Sequence, residues 1–423
     1  MSTATGTAES GTAASLESVE QFRTRARAWL RDNMPPAAGE SAADVRDDDA
    51  VWVRARELQQ MLHSGGFAGI CFPVEYGGLG LSTAHQLAFN EEAAAYEMPT
   101  ILNVPNFAIC AATILDVGTE EQKKAYLPHI ISGRDVWCQL LSEPRGGSDL
   151  AGVITKAERA GDDWVVNGSK VWSTAAYAAD YGLCLTRSDW DVPKHSGLTM
   201  FVMPLDAPGV TVQRIELVNG ATEFCQVYFD DVRLPAANAV GAVNEGWATA
   251  SQQLFHERNS MGGGSPFISG PRFRKTSAGP DLLDLARDAG RLQDPLVRDQ
   301  LAGARIMKVV SEHLIHRVGT AIQAGTLTPQ ASSILRLFEA ERGWNEYDAA
   351  LKIAGPLAVS GPTAEDPGYG ITGLRYLSRQ AGSLGGGSTE IARNVISERV
   401  LEMPREPAAD RGIPFREIKR GGA

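Results

Sequence analysis

The period of the apolar residues changes twice along this chain, after Ser148 and again before Glu245, and nothing else in the sequence restricts the possible folds as much. Residues 151–235 fall into VITKAERA, WVVNG, GLCLTRS, LTMFVMP, VTVQRIE and FCQVYFDDVRLP, short β-branched and aromatic segments cut by Gly, Asp, Pro and Asn. Segments of that length and composition pair as strands whose side chains alternate between two faces, so the block predicts a compact β domain. On both sides of it the spacing is helical.

From Leu16 to Met34, the residues Leu16, Val19, Phe22, Ala26, Trp29 and Leu30 recur on one helical face, and Pro35-Pro36 ends the run. Residues 52–65, 85–96 and 108–116 continue the pattern, and Thr119 ahead of Glu120, Glu121 and Gln122 supplies an N-cap with an acidic first turn. FAGICFPVEYGGLGLS, between the second and third helices, holds too much glycine for helix and reads as a turn or as backbone approaching a ligand. Beyond Glu245, helical stretches at 246–262, 281–289, 295–324, 329–353 and 390–401 describe a bundle, with the Gly-, Pro- and Ser-rich 263–280 and 355–388 expected as loops. The expected division is a tail (1–15), a helical domain (16–135), a β domain (136–242), a helical bundle (243–406) and a second tail (407–423), an α+β chain.

With 423 residues and 43% hydrophobic composition the chain can bury one large core or a few domains sharing one. A net charge of -11 argues against nucleic acid or an anionic membrane as partner, since either demands a basic surface. Cys71, Cys110, Cys138, Cys184 and Cys225 are odd in number, far apart and without a CxxC pair, so neither a disulfide framework nor a zinc site is expected, and a reducing cytoplasm is. The first fifteen residues lack the basic start and apolar run of a secretory signal, and the best apolar windows read as broken by charge or glycine, too short to span a bilayer.

Chemistry concentrates between Cys138 and Thr174. Ser142, Glu143 and Pro144 precede a Gly146-Gly147-Ser148-Asp149 turn, where free N–H groups and two hydroxyls converge as a seat for a planar, phosphate-bearing ligand. Trp172 and Thr174, two apart on an extended segment, face the same way and offer one flat apolar wall and one hydroxyl, which suits an isoalloxazine ring.

SEPRGGSDLAG followed by VNGSKVWST resembles the flavin-binding signature of acyl-CoA dehydrogenases, and GSTEIARN continuing into ISERVLEMPRE resembles that family's C-terminal signature. The resemblance runs from about Leu16 to Glu406. It implies an N-terminal helical domain, a middle β-barrel-like domain and a C-terminal four-helix bundle. It also implies FAD as cofactor, an acyl-CoA thioester as substrate, trans-2-enoyl-CoA as product and an electron-transfer flavoprotein as acceptor. The residues bordering the flavin would be Gln139, Leu141, Ser142, Ser148, Trp172, Thr174 and Ser388, with Ser148 also meeting substrate.

The dehydrogenation needs a carboxylate base and donors to the thioester oxygen. Many members place the base just before the C-terminal Gly-Thr or Gly-Ser, where this chain has Gly386. Members similar to isovaleryl-CoA and long-chain acyl-CoA dehydrogenases take it instead from a helical Glu-Arg pair, matched here by Glu257 and Arg258 in LFHERNSMGGG. The resemblance thus implies Glu257 as the base, the Gly386 N–H as a donor to the thioester together with a flavin ribityl hydroxyl, and Arg258 either behind the base or at the thioester end of the substrate. His256, about 100° away around the helix, is expected to be structural. The clusters Gly262-Gly263-Gly264 and Gly385-Gly386-Gly387 leave space for a bulky or branched acyl group.

Two departures stand out. The Arg-Phe-Gly that homotetrameric members offer to a neighbour's FAD is absent from LLDLARDAGRLQDP, leaving Arg287 as a substitute, and Leu351 replaces the Gln of the adenine-end motif in LKIAGPLA. Such losses suit a hetero-oligomer with a second acyl-CoA dehydrogenase chain as well as a homo-oligomer. Two further readings are a non-catalytic partner subunit and a flavin oxidase or monooxygenase on the same fold.

Overall fold

The structure is a computed structural model and describes residues 17–37, 49–261, 265–270, 281–359 and 367–418. The expected N-terminal tail, the Gly262-Gly263-Gly264 cluster and most of 263–280 lie outside these residues.

Helix α1 (Val19–Asn33) starts where Ser18 Oγ accepts the Gln21 N–H and the Gln21 carboxamide accepts the Ser18 N–H in return. Phe22, Ala26 and Leu30, four apart, are fully buried along its inner face. Helices α2 (Asp49–Ser64) and α3 (Thr83–Ala93) follow, then one continuous apolar helix made of α4 (Thr100–Leu102), a π-helical stretch (Asn103–Ala111) and α5 (Ala112–Val117). Contrary to the expectation of broken apolar windows, Thr100–Val117 has the length and composition to cross a membrane. Two-thirds of it is buried inside the helical domain, so its apolarity is that of a core helix. Helix α6 (Glu120–Ile131) repeats the reciprocal cap, between Thr119 and Gln122. The glycine-rich stretch is a tight turn: Gly80 N–H reaches Phe72 O at 2.8 Å, and the Phe72 carbonyl leaves no room for a side chain at Gly78.

The middle of the chain forms one eight-stranded sheet in the order β6-β7-β3-β2-β4-β5-β8. The strands are β2 (Lys156–Ala160), β3 (Asp163–Thr174), β4 (Tyr181–Arg187), β5 (Leu198–Pro204), β6 (Val210–Ile215), β7 (Phe224–Pro235) and β8 (Ala239–Val240). Strand β1 (Trp137–Leu140), which has no separate signal in the sequence, pairs in parallel with β4. Trp164, Phe201, Val227 and Phe229 lead the core that the sheet encloses.

Helix α7 (Gly246–Met261) returns to pack on the π-helical stretch, α5 and β5, which ties the C-terminal region to both earlier domains. Beyond it come α8 (Leu282–Asp288), α9 (Pro295–Gln323), α10 (Ser332–Ala354), α11 (Pro367–Ser378) and α12 (Thr389–Val395). Helix α11 corrects the expectation of a loop over 355–388. Its glycines are there for close packing: Gly373 passes so near the Ala358 carbonyl that a side chain would collide with it. The C-terminal stretch also departs from a free tail, because Phe415 is buried and stacks 3.8 Å from the Arg187 guanidinium.

Candidate active site

A buried ion pair fixes the loop that leads into the site. Lys170 on β3 and Glu143 just beyond β1 have side-chain exposures of 0% and 4% and meet at 2.9 Å. Lys170 Nζ also donates to Leu141 O at 3.0 Å, and Glu143 accepts the Ile154 and Thr155 N–H groups at 2.7 and 2.8 Å. Burial pushes the Glu143 carboxyl up, but the Lys170 charge and these hydrogen bonds outweigh it and hold the pKa below its ordinary value. Loop and strand are thereby bolted together. Within the loop, Gly146 N–H is spent on Glu143 O at 2.9 Å and is not free for a ligand, whereas Ser148 stands exposed and Ser142 lies partly buried beside Gly147.

Trp172 and Thr174 both face outward, but not through simple alternation. The β3–β7 register shifts between Lys170 and Ser173, and Trp172 takes φ 60°, a bulge that turns the indole out to 55% exposure while Val171 and Ser173 stay buried. The bare indole, the exposed Thr174 and the bolted Ser142–Ser148 loop fit the ring end of a flavin. Ser388 caps α12 by accepting the Ile391 N–H at 3.3 Å, which leaves its hydroxyl proton to donate. Leu141 is buried, and its carbonyl is the one that Lys170 holds. Of the two positions expected to meet the far end of a FAD, Arg287 is paired with Asp284 on its own helix, and Leu351 packs into the apolar cluster around Ile353.

The carboxylate of Glu257 on α7 receives a hydrogen bond from Gln139 Nε2 at 3.2 Å. Gln139, expected beside the flavin, thus holds the Glu257 carboxylate from β1. Burial raises the Glu257 pKa, opposed by the Gln139 hydrogen bond and the Arg258 charge. Gly386 takes φ 68°, and a Cβ placed there would lie 3.8 Å from Glu257 Oε1. Chain segments 129 residues apart in sequence thus meet at one carboxylate. Arg258 is exposed beside Glu257, and His256 is turned away into a 2.8 Å contact with Asp116.

Sequence reasoning did not single out Lys170, although it falls on the inward phase of β3 set by Trp164 and Val166, where a lysine needs a partner. Nor did it single out Arg336 on α10, which donates to Gly385 O at 2.7 Å and for which the local sequence carries no signal.

A helical–β–helical chain with an exposed indole at Trp172 that suits a flavin ring and a carboxylate of raised proton affinity at Glu257 has the parts of a flavin-dependent oxidoreductase. The particular family follows from comparison with known proteins. The acyl-CoA dehydrogenase N-terminal, middle and C-terminal domain models match residues 17–134, 138–232 and 244–401, and the chain belongs to the acyl-CoA dehydrogenase family. It is 36% identical to acyl-CoA dehydrogenase IpdE1 of Mycobacterium tuberculosis, over 92% of this chain and 99% of that one. Among solved structures it is similar to the Tcur3481-Tcur3483 steroid ACAD, with 30% identity, a TM-score of 0.71 and coverage of 92% and 98%. It also resembles the ChsE4-ChsE5 complex of Mycobacterium tuberculosis, with 27% identity, a TM-score of 0.67 and coverage of 95% and 100%. Members of the family are flavoproteins that use FAD, and the chain is an oxidoreductase acting on acyl-CoA.

Proposed function

We propose that this chain performs α,β-dehydrogenation of an acyl-CoA thioester to the trans-2-enoyl-CoA, with Glu257 as the base. The observation that carries the reading is the Gln139–Glu257–Gly386 arrangement: an oriented carboxylate of raised pKa beside a backbone turn without a side chain. Glu257 takes the α-proton, Gln139 holds the carboxylate in position, and Gly386 N–H donates to the thioester oxygen, which makes the α-proton more acidic. Trp172, Thr174, Ser142, Ser148 and Ser388 would hold FAD, which when bound supplies the two-electron acceptor for the β-hydrogen. Arg258 and Ser148 lie on the substrate side, and an electron-transfer flavoprotein takes the electrons on.

The weak adenine end supports a further reading, that a second acyl-CoA dehydrogenase chain completes the FAD site. The Arg287–Asp284 pair and the apolar packing of Leu351 favour it, as does similarity to structures titled as two-component assemblies, one of them a steroid ACAD. A bulky acyl group belongs with this reading.

The test is the visible spectrum of the purified chain before and after anaerobic addition of a mixed acyl-CoA pool. The expected result is a yellow protein, alone or with its co-purifying partner, that bleaches with acyl-CoA, while Glu257→Gln stays yellow and loses at least a hundredfold in bleaching rate. A Glu257→Gln variant with wild-type bleaching overturns the assignment of the base.

A further inference from the structure

Two charged side chains come close to Gly386. A Cβ at this position would lie 3.8 Å from Glu257 Oε1 and 4.0 Å from Arg336 Nε, so the base and a guanidinium share one glycine that puts no side chain between them. Arg336 is half-buried on α10, and burial pushes its pKa down with no opposing carboxylate. Of its five N–H donors one is used, on Gly385 O, and no other hydrogen bond or ion pair of Arg336 occurs among the described residues. Nearby acids are occupied. Glu339, one turn along α10, holds Arg342 and Ser311, and Glu257 is hydrogen-bonded to Gln139.

A clamp on the Gly385 carbonyl alone would need only one neutral donor. A guanidinium partly withdrawn from water without a counter-charge carries a cost, and an anion that reaches it offsets that cost, best of all a carboxylate that the planar fork can grip with two hydrogen bonds. Resting on the reading of Glu257 as base, we propose that Arg336 is a specificity residue that binds a carboxylate carried by the acyl group itself, beyond the β-carbon. The thioester end lies at Glu257 and the Gly386 N–H, the acyl chain runs on past the glycine, where no side chain takes up room, and its far carboxylate meets Arg336. The preferred substrate class is then a dicarboxylic acid mono-CoA thioester.

The experiment compares ω-carboxyl and methyl-terminated acyl-CoAs of matched length: glutaryl against pentanoyl, adipyl against hexanoyl, suberyl against octanoyl. Steady-state turnover with a dye acceptor is measured for the wild type, Arg336→Met and Arg336→Lys, each purified with any partner chain that accompanies it. The expected result is a tenfold or greater kcat/KM preference for the carboxyl member at one length, carried mainly by KM. Arg336→Met removes that preference by weakening the carboxyl member at least tenfold more than its methyl partner, whose smaller loss reports the broken contact to the Gly385 carbonyl, and Arg336→Lys restores part of the preference. Equal losses on both members would assign Arg336 to a phosphate of the CoA moiety, and loss of flavin or of an associated chain would assign it to an interface. Either result overturns the proposal, as does a wild type without the preference. Turnover of methyl-terminated substrates that Glu257→Gln abolishes would leave the dehydrogenase reading standing while the Arg336 proposal falls. A series in which no member is turned over would overturn the Arg336 proposal and leave the dehydrogenase reading to the bleaching test with the mixed acyl-CoA pool.

Discussion

Lys170→Met keeps most of the side chain's length and removes its charge. The ammonium lies 2.9 Å from Glu143 Oε1 and 3.0 Å from Leu141 O, in a place closed to water. Without it the Glu143 carboxylate keeps two backbone N–H groups and no counter-charge. Breaking a buried pair by removing one partner costs about 3–5 kcal/mol, and the two surviving amide bonds set the expectation at the lower end, about 3 kcal/mol. Urea unfolding followed by tryptophan fluorescence measures it.

The pH dependence separates charge from packing. In the wild type Glu143 is held below its ordinary pKa, so its contribution is complete above the ordinary carboxylate range and is lost only as pH falls through the lowered value. In Lys170→Met burial acts without the lysine, the carboxyl pKa rises, and the penalty is full at pH 8. It shrinks as acid protonates Glu143. The stability gap between the two proteins should therefore narrow from pH 8 towards pH 5. A variant within 1 kcal/mol of the wild type at pH 8 would refute the reasoning, and a gap independent of pH would mean that lost packing, not an unpaired charge, is responsible.

Two further variants probe the site. Gln139→Leu removes the hydrogen bond that lowers the Glu257 pKa, so the rising limb of kcat/KM against pH, which follows deprotonation of the base, should move to higher pH; an unmoved limb would show that Gln139 does not act on the base. Trp172→Ala replaces an exposed indole, so unfolding free energy should change by no more than about 0.5 kcal/mol while the flavin retained on purification falls, read from the ratio of visible to ultraviolet absorbance.

Much of this was legible in the sequence because periodicity records burial. Six strand segments, the Thr119 cap and the helical spacing of Phe22, Ala26 and Leu30 all reappear where the pattern places them. Helix α11 escaped because glycine was read as a turn signal, whereas Gly373 serves a close crossing that exists only in three dimensions. In the site, the sequence marked Glu257 and Gly386 separately, through resemblance to a family. It could not show that Gln139 on β1 turns toward α7, since the two residues are 118 apart. Arg336 escaped for a similar reason: a lone arginine on a helix is an ordinary surface residue until the loop at Gly385 closes over it.

Placing the carboxylate on α7 rather than at position 386 divides the work of the site between two sets of elements. The chemistry would sit on α7 and β1, where the base is carried by a helix packed against the π-helical stretch and is oriented from a strand, both rigid supports. Fit would sit on α10 and the space beside the Gly385–Ser388 turn, whose own part in the chemistry is a backbone N–H and not a side chain that gives or takes a proton. Gly386, relieved of the base, can stay without a side chain, and the room so gained points toward Arg336. The two sets should then be separable by mutation. Gln139 variants should shift the pH profile and leave the preference between carboxyl and methyl-terminated substrates unchanged, while Arg336 variants should shift that preference and leave the pH profile of the methyl-terminated substrates in place. A substitution at either residue that moves both properties together would mean that base and guanidinium act as one coupled unit across the glycine.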